Sequence, residues 1–229
     1  MNIYTHGLGL NGRFELHDPA VDILSERHRS VKRVYFVANF KNERRHRSDC
    51  FMITPDEQLN WILEDTEILE RHLYSDPSET GLLQRALAIL ENEQPLNQEA
   101  FSDQDRLILR SLNLSTLRPG VVISETPTDA DLHQNVRNLH HAIGRLFFYT
   151  AGKSETRVWD VGNGATISEA AGQIHSDLER GFIRAEVFNV KTIDQFRTLQ
   201  EAKTMGLLSI VDRGYHISAG DVIDVKFNV

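Results

Sequence analysis

The chain has 229 residues, of which 25 are Lys or Arg and 33 are Asp or Glu, so its formal net charge is −8 at pH 7. Its hydrophobic content of 40% excludes intrinsic disorder as the main state, and its length allows one large domain or two small ones. No run approaches the roughly 18 apolar residues of a membrane span, and the N-terminus lacks a signal-peptide pattern. We therefore expect a soluble cytoplasmic protein with no membrane partner. The single cysteine, Cys50, excludes an internal disulfide and any cysteine-rich zinc site.

Charge is distributed unevenly along the chain. Residues 26–47, the basic segment, carry eight Lys or Arg against two Asp or Glu, a net +6, whereas residues 48–147 carry seven against seventeen, a net −10. Inside the basic segment, the run Val34-Tyr35-Phe36-Val37-Ala38 predicts a buried strand. The cations around it predict either a phosphate-binding surface or a solvated rim that pairs with acidic helices. They are Arg27, Arg29, Lys32, Arg33, Lys41, Arg44, Arg45 and Arg47.

Helical patterns begin at Thr54. Thr54-Pro55-Asp56-Glu57 places a Thr N-cap, a Pro at the first helical position and a Glu at the third, which predicts a helix start. Apolar stripes then predict two antiparallel helices joined by a turn at residues 75–78, and a third helix capped by Ser102. A core strand is predicted at Val121-Val122-Ile123, followed by a helix from Thr128 to about Gly144. The middle of the chain is therefore predicted to be mixed α/β.

The C-terminal part alternates strand and helix patterns. Alternating apolar residues predict strands at residues 157–161, 182–188 and 221–227. Helix starts are predicted at Thr166, which has Glu169 in capping-box position, and at Thr192. This order is typical of a β-grasp arrangement, a small mixed sheet packed on one helix.

Several motifs in this C-terminal part resemble those of one family. They are Phe148-Tyr149-Thr150-Ala151-Gly152, Arg157-Val158-Trp159, Ala170-Ala171-Gly172, Ile174-His175-Ser176-Asp177, Arg180-Gly181-Phe182-Ile183-Arg184-Ala185-Glu186-Val187 and the terminal Phe227-Asn228-Val229. Over about residues 145–229 the chain resembles the C-terminal TGS-like domain of the YchF/Obg-like P-loop ATPases. The resemblance implies two domains. Residues 1–147 would be a degenerate, truncated G-domain remnant with a helical hairpin insertion at about 54–114, and residues 148–229 a TGS-like β-grasp domain.

The nucleotide-binding signatures of that family are altered. A P-loop needs GxxxxGK[ST], because backbone amides cradle phosphates, the Lys neutralises them and the hydroxyl ligates Mg²⁺. The nearest match keeps the spacing of Gly7 and Gly12, but Arg13 replaces the Lys and Phe14 replaces the Ser or Thr. The DxxG and Asn-based base-recognition motifs are also absent, and the chain is too short for the family's complete G domain. We expect Gly7, Gly12 and Arg13 to be an inactive relic, with no cofactor.

Other polar residues do not predict a catalytic or metal centre. His133 and His140 are two helical turns apart, too far for one ion, and Cys50 has no nearby His or Asp in sequence to activate it. A polar set lies within the resembled domain, where the resemblance implies an interface or helix-capping role and no catalysis. Its members are His175, Asp177, Arg180 and Arg184.

These observations favour a non-catalytic binding protein derived from a YchF/Obg-like ATPase. It would use the TGS-like domain and the basic segment to bind RNA, the ribosome or a protein partner. The alternative is an enzyme or nucleotide-binding accessory protein of a specialised pathway, with a remodelled small-molecule site. A structural adaptor is a third possibility, and the oligomeric state is left open.

Overall fold

The protein is a mixed α/β structure with two mixed sheets, as the sequence predicts. The computed structural model describes residues 1–43, 47–75 and 80–228. Over these residues the strands are, in chain order, β1 (Asn2–His6), β2 (Gly12–Leu16), β3 (Lys32–Val34), β4 (Phe36–Lys41), β5 (Cys50–Ile53), β6 (Gly120–Val122), β7 (Arg145–Ala151), β8 (Glu155–Gly162), β9 (Phe182–Asn189), β10 (Leu208–Val211) and β11 (Asp221–Phe227). The α-helices are α1 (Pro19–His28), α2 (Pro55–Ser75), α3 (Thr80–Glu91), α4 (Asp103–Ser111), α5 (Asp129–Ala142), α6 (Ile167–Ile174), α7 (Ser176–Arg180) and α8 (Leu199–Thr204).

The chain forms two compact units. The N-terminal unit comprises Met1–Phe14 and Ala38–Ile143, and the C-terminal unit comprises Glu15–Val37 and Gly144–Val229. The later boundary lies close to the division at residue 147 expected from the sequence. Residues 15–37, however, belong to the C-terminal unit, because they pack against its sheet.

The N-terminal unit contains a five-stranded sheet in the order β2-β4-β1-β5-β6. β1 pairs in parallel with β4 on one side and with β5 on the other, and β5 pairs in parallel with β6. All four residues of β5 are buried, as expected for a central parallel strand. The run predicted at residues 121–123 forms β6, which ends the sheet and leaves one of its edges without a neighbouring strand among the described residues.

Helices α2, α3 and α4 form an apolar core beside this sheet, as their stripes predict. Leu69, Leu90 and Leu109, one from each helix, are almost fully buried in it. The Ser102 side chain accepts a hydrogen bond from the Asp105 N–H and caps α4, as predicted. Of the turn predicted at residues 75–78, Ser75 ends α2 and the rest lies outside the described residues.

The C-terminal unit contains a six-stranded sheet in the order β10-β9-β11-β7-β8-β3. β7 and β8 form an antiparallel hairpin, β11 runs parallel to β7, and β9 runs antiparallel to β11 and β10. Helix α6 begins at the predicted capping box of Thr166 and Glu169 and packs against one face. These elements form the expected β-grasp arrangement.

Helix α1 covers the second face of this sheet. The sequence predicted only one helix packed on the sheet, so this second layer was not expected. Val21 and Leu24 of α1 pack there against Tyr149 and Val158. Asp18 caps α1 through the Ala20 N–H, and its other carboxylate oxygen accepts a 2.8 Å hydrogen bond from the Tyr149 hydroxyl. Residues 15–37 therefore supply a second layer to the β-grasp sheet.

The strand predicted at residues 34–38 is divided in two at Tyr35. β3 pairs with β8 in one sheet, whereas β4 pairs with β1 in the other. The Tyr35 hydroxyl donates a hydrogen bond to Asp22 of α1. The break occurs because the two halves of the run have different pairing partners.

The helix predicted to start at Thr192 also differs. Thr192 lies inside a 3-10 helix, Val190–Gln195, and its hydroxyl donates to the Asn189 carbonyl at 2.8 Å. Asn189 is the cap, since its side chain accepts from the Lys191 N–H. The α-helix that follows is α8, capped by Thr198.

Candidate functional site

The loop after β1, where a P-loop would lie, has the wrong element after it. A P-loop holds phosphate at the N-terminus of the helix that follows the glycines. Here Gly12 begins strand β2. Gly7 has φ +75°, and a Cβ there would meet the Thr54 side chain at 2.6 Å, so its backbone conformation and its packing both explain the glycine.

The two residues that replace the P-loop Lys and hydroxyl lie on β2. Arg13 is exposed, and its guanidinium makes no hydrogen bond or ion pair with another described residue. Phe14 packs its ring 5.6 Å from that of Phe40 and 4.9 Å from that of His133. Gly7, Gly12 and Arg13 therefore lie on one loop and the strand that follows it.

The first half of the basic segment is largely occupied within the C-terminal unit. Arg27 donates to the carbonyl oxygens of Ile193 and Phe196. Lys32 lies 3.3 Å from the Glu155 carboxylate, and Arg33 lies 2.8 Å from that of Asp22. Arg29 alone is different: it ends α1 with φ 52°, is exposed, and makes no side-chain bond to a described residue.

Asp22 is the acceptor that holds this region together. It accepts from Arg33 and Tyr35, and lies 2.7 Å from the His17 ring. Partial burial opposes ionisation, but the hydrogen bonds of Tyr35 and His17 and the charges of His17 and Arg33 outweigh it and lower the pKa of Asp22. Arg27 and Arg33 are therefore engaged within the fold and are less available to a ligand than Arg29.

The second half of the basic segment belongs to the N-terminal unit. Lys41 and Arg47 are exposed and make no side-chain hydrogen bond or ion pair with another described residue. Arg44 and Arg45 lie outside the described residues. The segment that is continuous in sequence is thus shared between two units.

The polar set of the C-terminal unit is mostly a helix cap. The His175 Nδ1 accepts from the Asp177 N–H at 3.1 Å at the start of α7, and Arg180 lies 2.7 Å from the Asp177 carboxylate. Arg184 lies on β9, is exposed, and makes no side-chain bond to a described residue. The first three residues are brought together, and their contacts are those of a capped surface helix.

The remaining sequence candidates show no catalytic environment. Burial and the nearby Asp49 charge raise the pKa of the Cys50 thiol to about 12, so the thiolate nucleophile is suppressed. In residues 1–43, 47–75 and 80–228, His, Cys, Asp and Glu side chains form no group of three that could hold a metal ion. The helices of this described part of the chain also include none with the length and apolar character needed to cross a membrane.

A cavity that the sequence did not predict lies in the N-terminal unit beside β6. Its volume is about 650 Å³. The floor is formed by β5 and β6, and one wall by α4. The residues around it are Phe51, Gln58, Asn97, Gln98, Arg106, Arg110, Leu117, Pro119, Gly120, Val121, Val122 and Ala142. In the sequence, Arg106 and Arg110 lie one helical turn apart, and this pair could have indicated the site. The net negative charge of the surrounding segment obscured the pattern.

A buried carboxylate orders the chain that enters this cavity. Asp65 of α2 is 1% exposed and accepts from the Ser115 N–H at 3.0 Å, the Thr116 N–H at 2.8 Å and the Thr116 hydroxyl at 2.6 Å. Asn97 Nδ2 also donates a hydrogen bond to the Arg118 carbonyl at 2.7 Å, in the same segment. The segment leading to β6 is therefore held on both sides.

Comparison with known proteins identifies relatives of the C-terminal unit. Residues 146–228 match the family described as "YchF-GTPase_C: Protein of unknown function (DUF933)". The chain is 39% identical over 98 residues to the ribosome-binding ATPase YchF of Mycoplasma genitalium, and 36% identical over 104 residues to Obg-like ATPase 1 of Danio rerio. These similarities relate part of the chain to the YchF and Obg-like ATPases.

The similarity to YchF/Obg-like ATPases covers part of each protein. The two alignments cover 43% and 45% of this chain and 27% and 26% of the relatives. A longer alignment, to YchF of Buchnera aphidicola subsp. Schizaphis graminum, is 30% identical over 127 residues, 56% of this chain and 32% of that protein. The chain thus spans about a quarter to a third of the length of these relatives.

A solved structure extends the likeness of fold to both units. The structure of the Schizosaccharomyces pombe YchF GTPase superimposes with a TM-score of 0.73, over 93% of this chain and 86% of that one. Sequence identity is 15%, so this likeness concerns fold alone. The likeness of fold therefore includes the N-terminal unit.

Proposed function

We propose that this protein binds the ribosome through RNA contacts and works without binding or hydrolysing a nucleotide. The evidence for a function without nucleotide binding comes from β1 and β2. Strand β2 stands where the phosphate-binding helix of a P-loop would begin, and it carries Arg13 and Phe14 in place of the phosphate and Mg²⁺ ligands. The partner is proposed from relatives whose names describe ribosome-binding ATPases.

The proposed RNA ligands are Arg184 and those cations of the basic segment whose side chains make no hydrogen bond or ion pair with a described residue. In the N-terminal unit these are Lys41 and Arg47, to which we add Arg44 and Arg45 by their position in sequence. In the C-terminal unit they are Arg29 and Arg184, because each is exposed and unpaired among the described residues, unlike the engaged arginines of α1 and β3. Phosphate contacts by such side chains make affinity fall with salt.

Co-sedimentation with purified ribosomes tests the partner. The wild-type chain is expected to bind at low salt and to dissociate as salt rises. The double variant Lys41→Glu/Arg47→Glu is expected to bind more weakly and with a salt slope reduced by about one to two, roughly one per lost phosphate contact. Arg197→Glu is the matched control, since Arg197 is exposed and its side chain makes no contact with a described residue. No ribosome binding at low salt, or an equal loss in the control, would contradict the proposal.

Nucleotide binding is tested separately by calorimetry with MgATP and MgGTP. The wild-type chain is expected to give no saturable heat and no turnover. The variant Arg13→Lys/Phe14→Thr restores the P-loop residue types, but it is expected to bind no better, because the positive end of a helix is still missing. Mg²⁺-dependent hydrolysis that disappears in Arg13→Ala would overturn this part of the proposal.

A further inference from the structure

We propose that the cavity beside β6 binds a small anionic molecule of metabolite size that carries at least two phosphate or carboxylate groups. This site is separate from the residues proposed above to contact the ribosome. It concerns the N-terminal unit alone, and its ligand is recognised by charge, by backbone donors and by an apolar floor.

The positive charge of the cavity comes from α4. Arg106 and Arg110 both line it, and the Arg110 guanidinium makes no hydrogen bond or ion pair with another described residue. Arg106 donates one hydrogen bond, to the Glu99 carbonyl at 3.2 Å, and keeps its other donors. Among the described residues that line the cavity there is no Asp or Glu, although the surrounding segment has a net charge of −10. These two guanidinium groups give the lining of the cavity a net positive charge that favours an anionic ligand.

An adjoining cavity of about 280 Å³ is also lined by arginines. It shares Arg110, Leu117 and Pro119 with the first and adds Arg118. Asp49 is its one acidic residue, and its carboxylate already accepts the Asn2 N–H at 2.7 Å. Arg118 donates to the Ser48 carbonyl at 3.3 Å and to Asn113 Oδ1 at 3.1 Å, so it contributes its charge more than free donors. The described lining of the two cavities therefore combines three guanidinium groups with one engaged carboxylate, which suits a ligand with more than one negative group.

The free edge of β6 supplies further donors. Its ladder with β5 uses the Pro119 carbonyl and the Ile123 N–H, which bond to Phe51 and Ile53. In a parallel pair, the backbone N–H and C=O groups of alternate residues point to opposite sides of the strand. Because those of residues 119 and 123 face β5, the N–H groups of Gly120 and Val122 point away from it. Both residues line the cavity.

The size and rigidity of the cavity fit a small ligand. A volume of about 650 Å³ lies within the roughly 300–1,000 Å³ of known small-molecule sites. Phe51, Leu117 and Val121 give it an apolar floor, and the Asp65 hydrogen bonds hold the segment that leads into β6. Such a preformed site loses little conformational entropy when a ligand binds.

Calorimetric titration of the full chain with inorganic pyrophosphate and with citrate tests the proposal. The buffer contains no other polyvalent anion, and NaCl matches the ionic strength. Saturable binding of at least one probe is expected. Arg110→Gln is expected to weaken it about ten-fold or more, because a charge-assisted hydrogen bond is lost. Arg110→Lys keeps the charge but loses the planar fork, so its loss is expected to be smaller.

Matched variants separate this site from other effects. Arg197→Gln, in the C-terminal unit, is expected to bind both probes like the wild type. Arg110 is exposed and unpaired, so Arg110→Gln is expected to keep the wild-type melting temperature and ribosome affinity. The proposal is overturned if neither probe binds saturably, or if Arg110→Gln binds as well as the wild type. It is also overturned if neither small anion binds, whereas a single-stranded oligouridylate binds the wild type and binds Arg110→Gln more weakly.

Discussion

The buried carboxylate of Asp65 offers a direct test of how the N-terminal unit is held together. Asp65→Ala would remove an acceptor that receives three hydrogen bonds, two of them from the backbone N–H groups of Ser115 and Thr116. Ser115 and Thr116 are buried, so the variant would leave their N–H groups without the acceptor that they now share. The segment between α4 and β6 would lose its fixed position, and with it one side of the cavity.

The expected cost follows from the number of donors left unpaired. Each buried donor without a partner costs about 1–3 kcal/mol, and hydrogen bonds to a charged group contribute about 1.5–3 kcal/mol each. Removing the carboxylate also removes its own desolvation cost, which offsets part of this sum. We therefore expect Asp65→Ala to lower the free energy of unfolding of the N-terminal unit by about 3–5 kcal/mol. Asp65→Asn keeps one acceptor oxygen and is expected to cost about 1–3 kcal/mol.

Urea unfolding followed by tryptophan fluorescence measures this change. Trp61 is 2% exposed in the N-terminal unit, so a Trp159→Phe background isolates its signal from the C-terminal unit. Glu70→Gln is the control, because Glu70 lies exposed on the same helix, and a change within about 0.5 kcal/mol is expected. Hydrogen exchange at the Ser115 and Thr116 amides is expected to accelerate in Asp65→Ala. A loss below about 1 kcal/mol, or no larger than in Glu70→Gln, would refute the reasoning.

Three further changes have defined outcomes. The Cys50 thiol, with its pKa raised to about 12, is expected to stay unreactive toward a chromogenic disulfide reagent at pH 8 until urea unfolds the chain; rapid reaction in the native state would contradict its burial. Gly120→Ala places a Cβ 2.2 Å from the Phe51 ring, and calorimetry is expected to show a melting temperature lowered by several degrees, corresponding to about 1–3 kcal/mol of overpacking. Tyr149→Phe removes the 2.8 Å hydrogen bond to Asp18, and we expect about 1–2 kcal/mol less stability in the C-terminal unit, with the Trp61 transition unchanged.

Helix starts were well predicted because their signals are local. Ser102, Thr128 and Thr166 each cap the helix that the sequence assigned to them, since a cap bonds an amide only two or three residues away. Thr192 is the exception. Its hydroxyl bonds to the preceding Asn189, a competing local contact that the pattern of residue types does not distinguish.

The candidate sites were less predictable, because their character depends on partners distant in sequence. Arg27 and Lys32 belong to a conspicuous basic segment, but Phe196 and Glu155 engage them from far along the chain. Conversely, Arg110 lies in a strongly acidic segment, and only the fold shows it beside a cavity with no carboxylate.

The sequence alone therefore determined the fold class and the β-grasp arrangement, because periodicity and helix caps depend on neighbouring residues. Tertiary structure decided the rest. It broke the run at Tyr35 between two sheets, placed strand β2 after the β1 loop, and moved residues 15–37 onto the C-terminal sheet. Strand pairing and burial depend on long-range partners, and the net charge of a segment does not show which of its charged side chains the fold leaves unpaired.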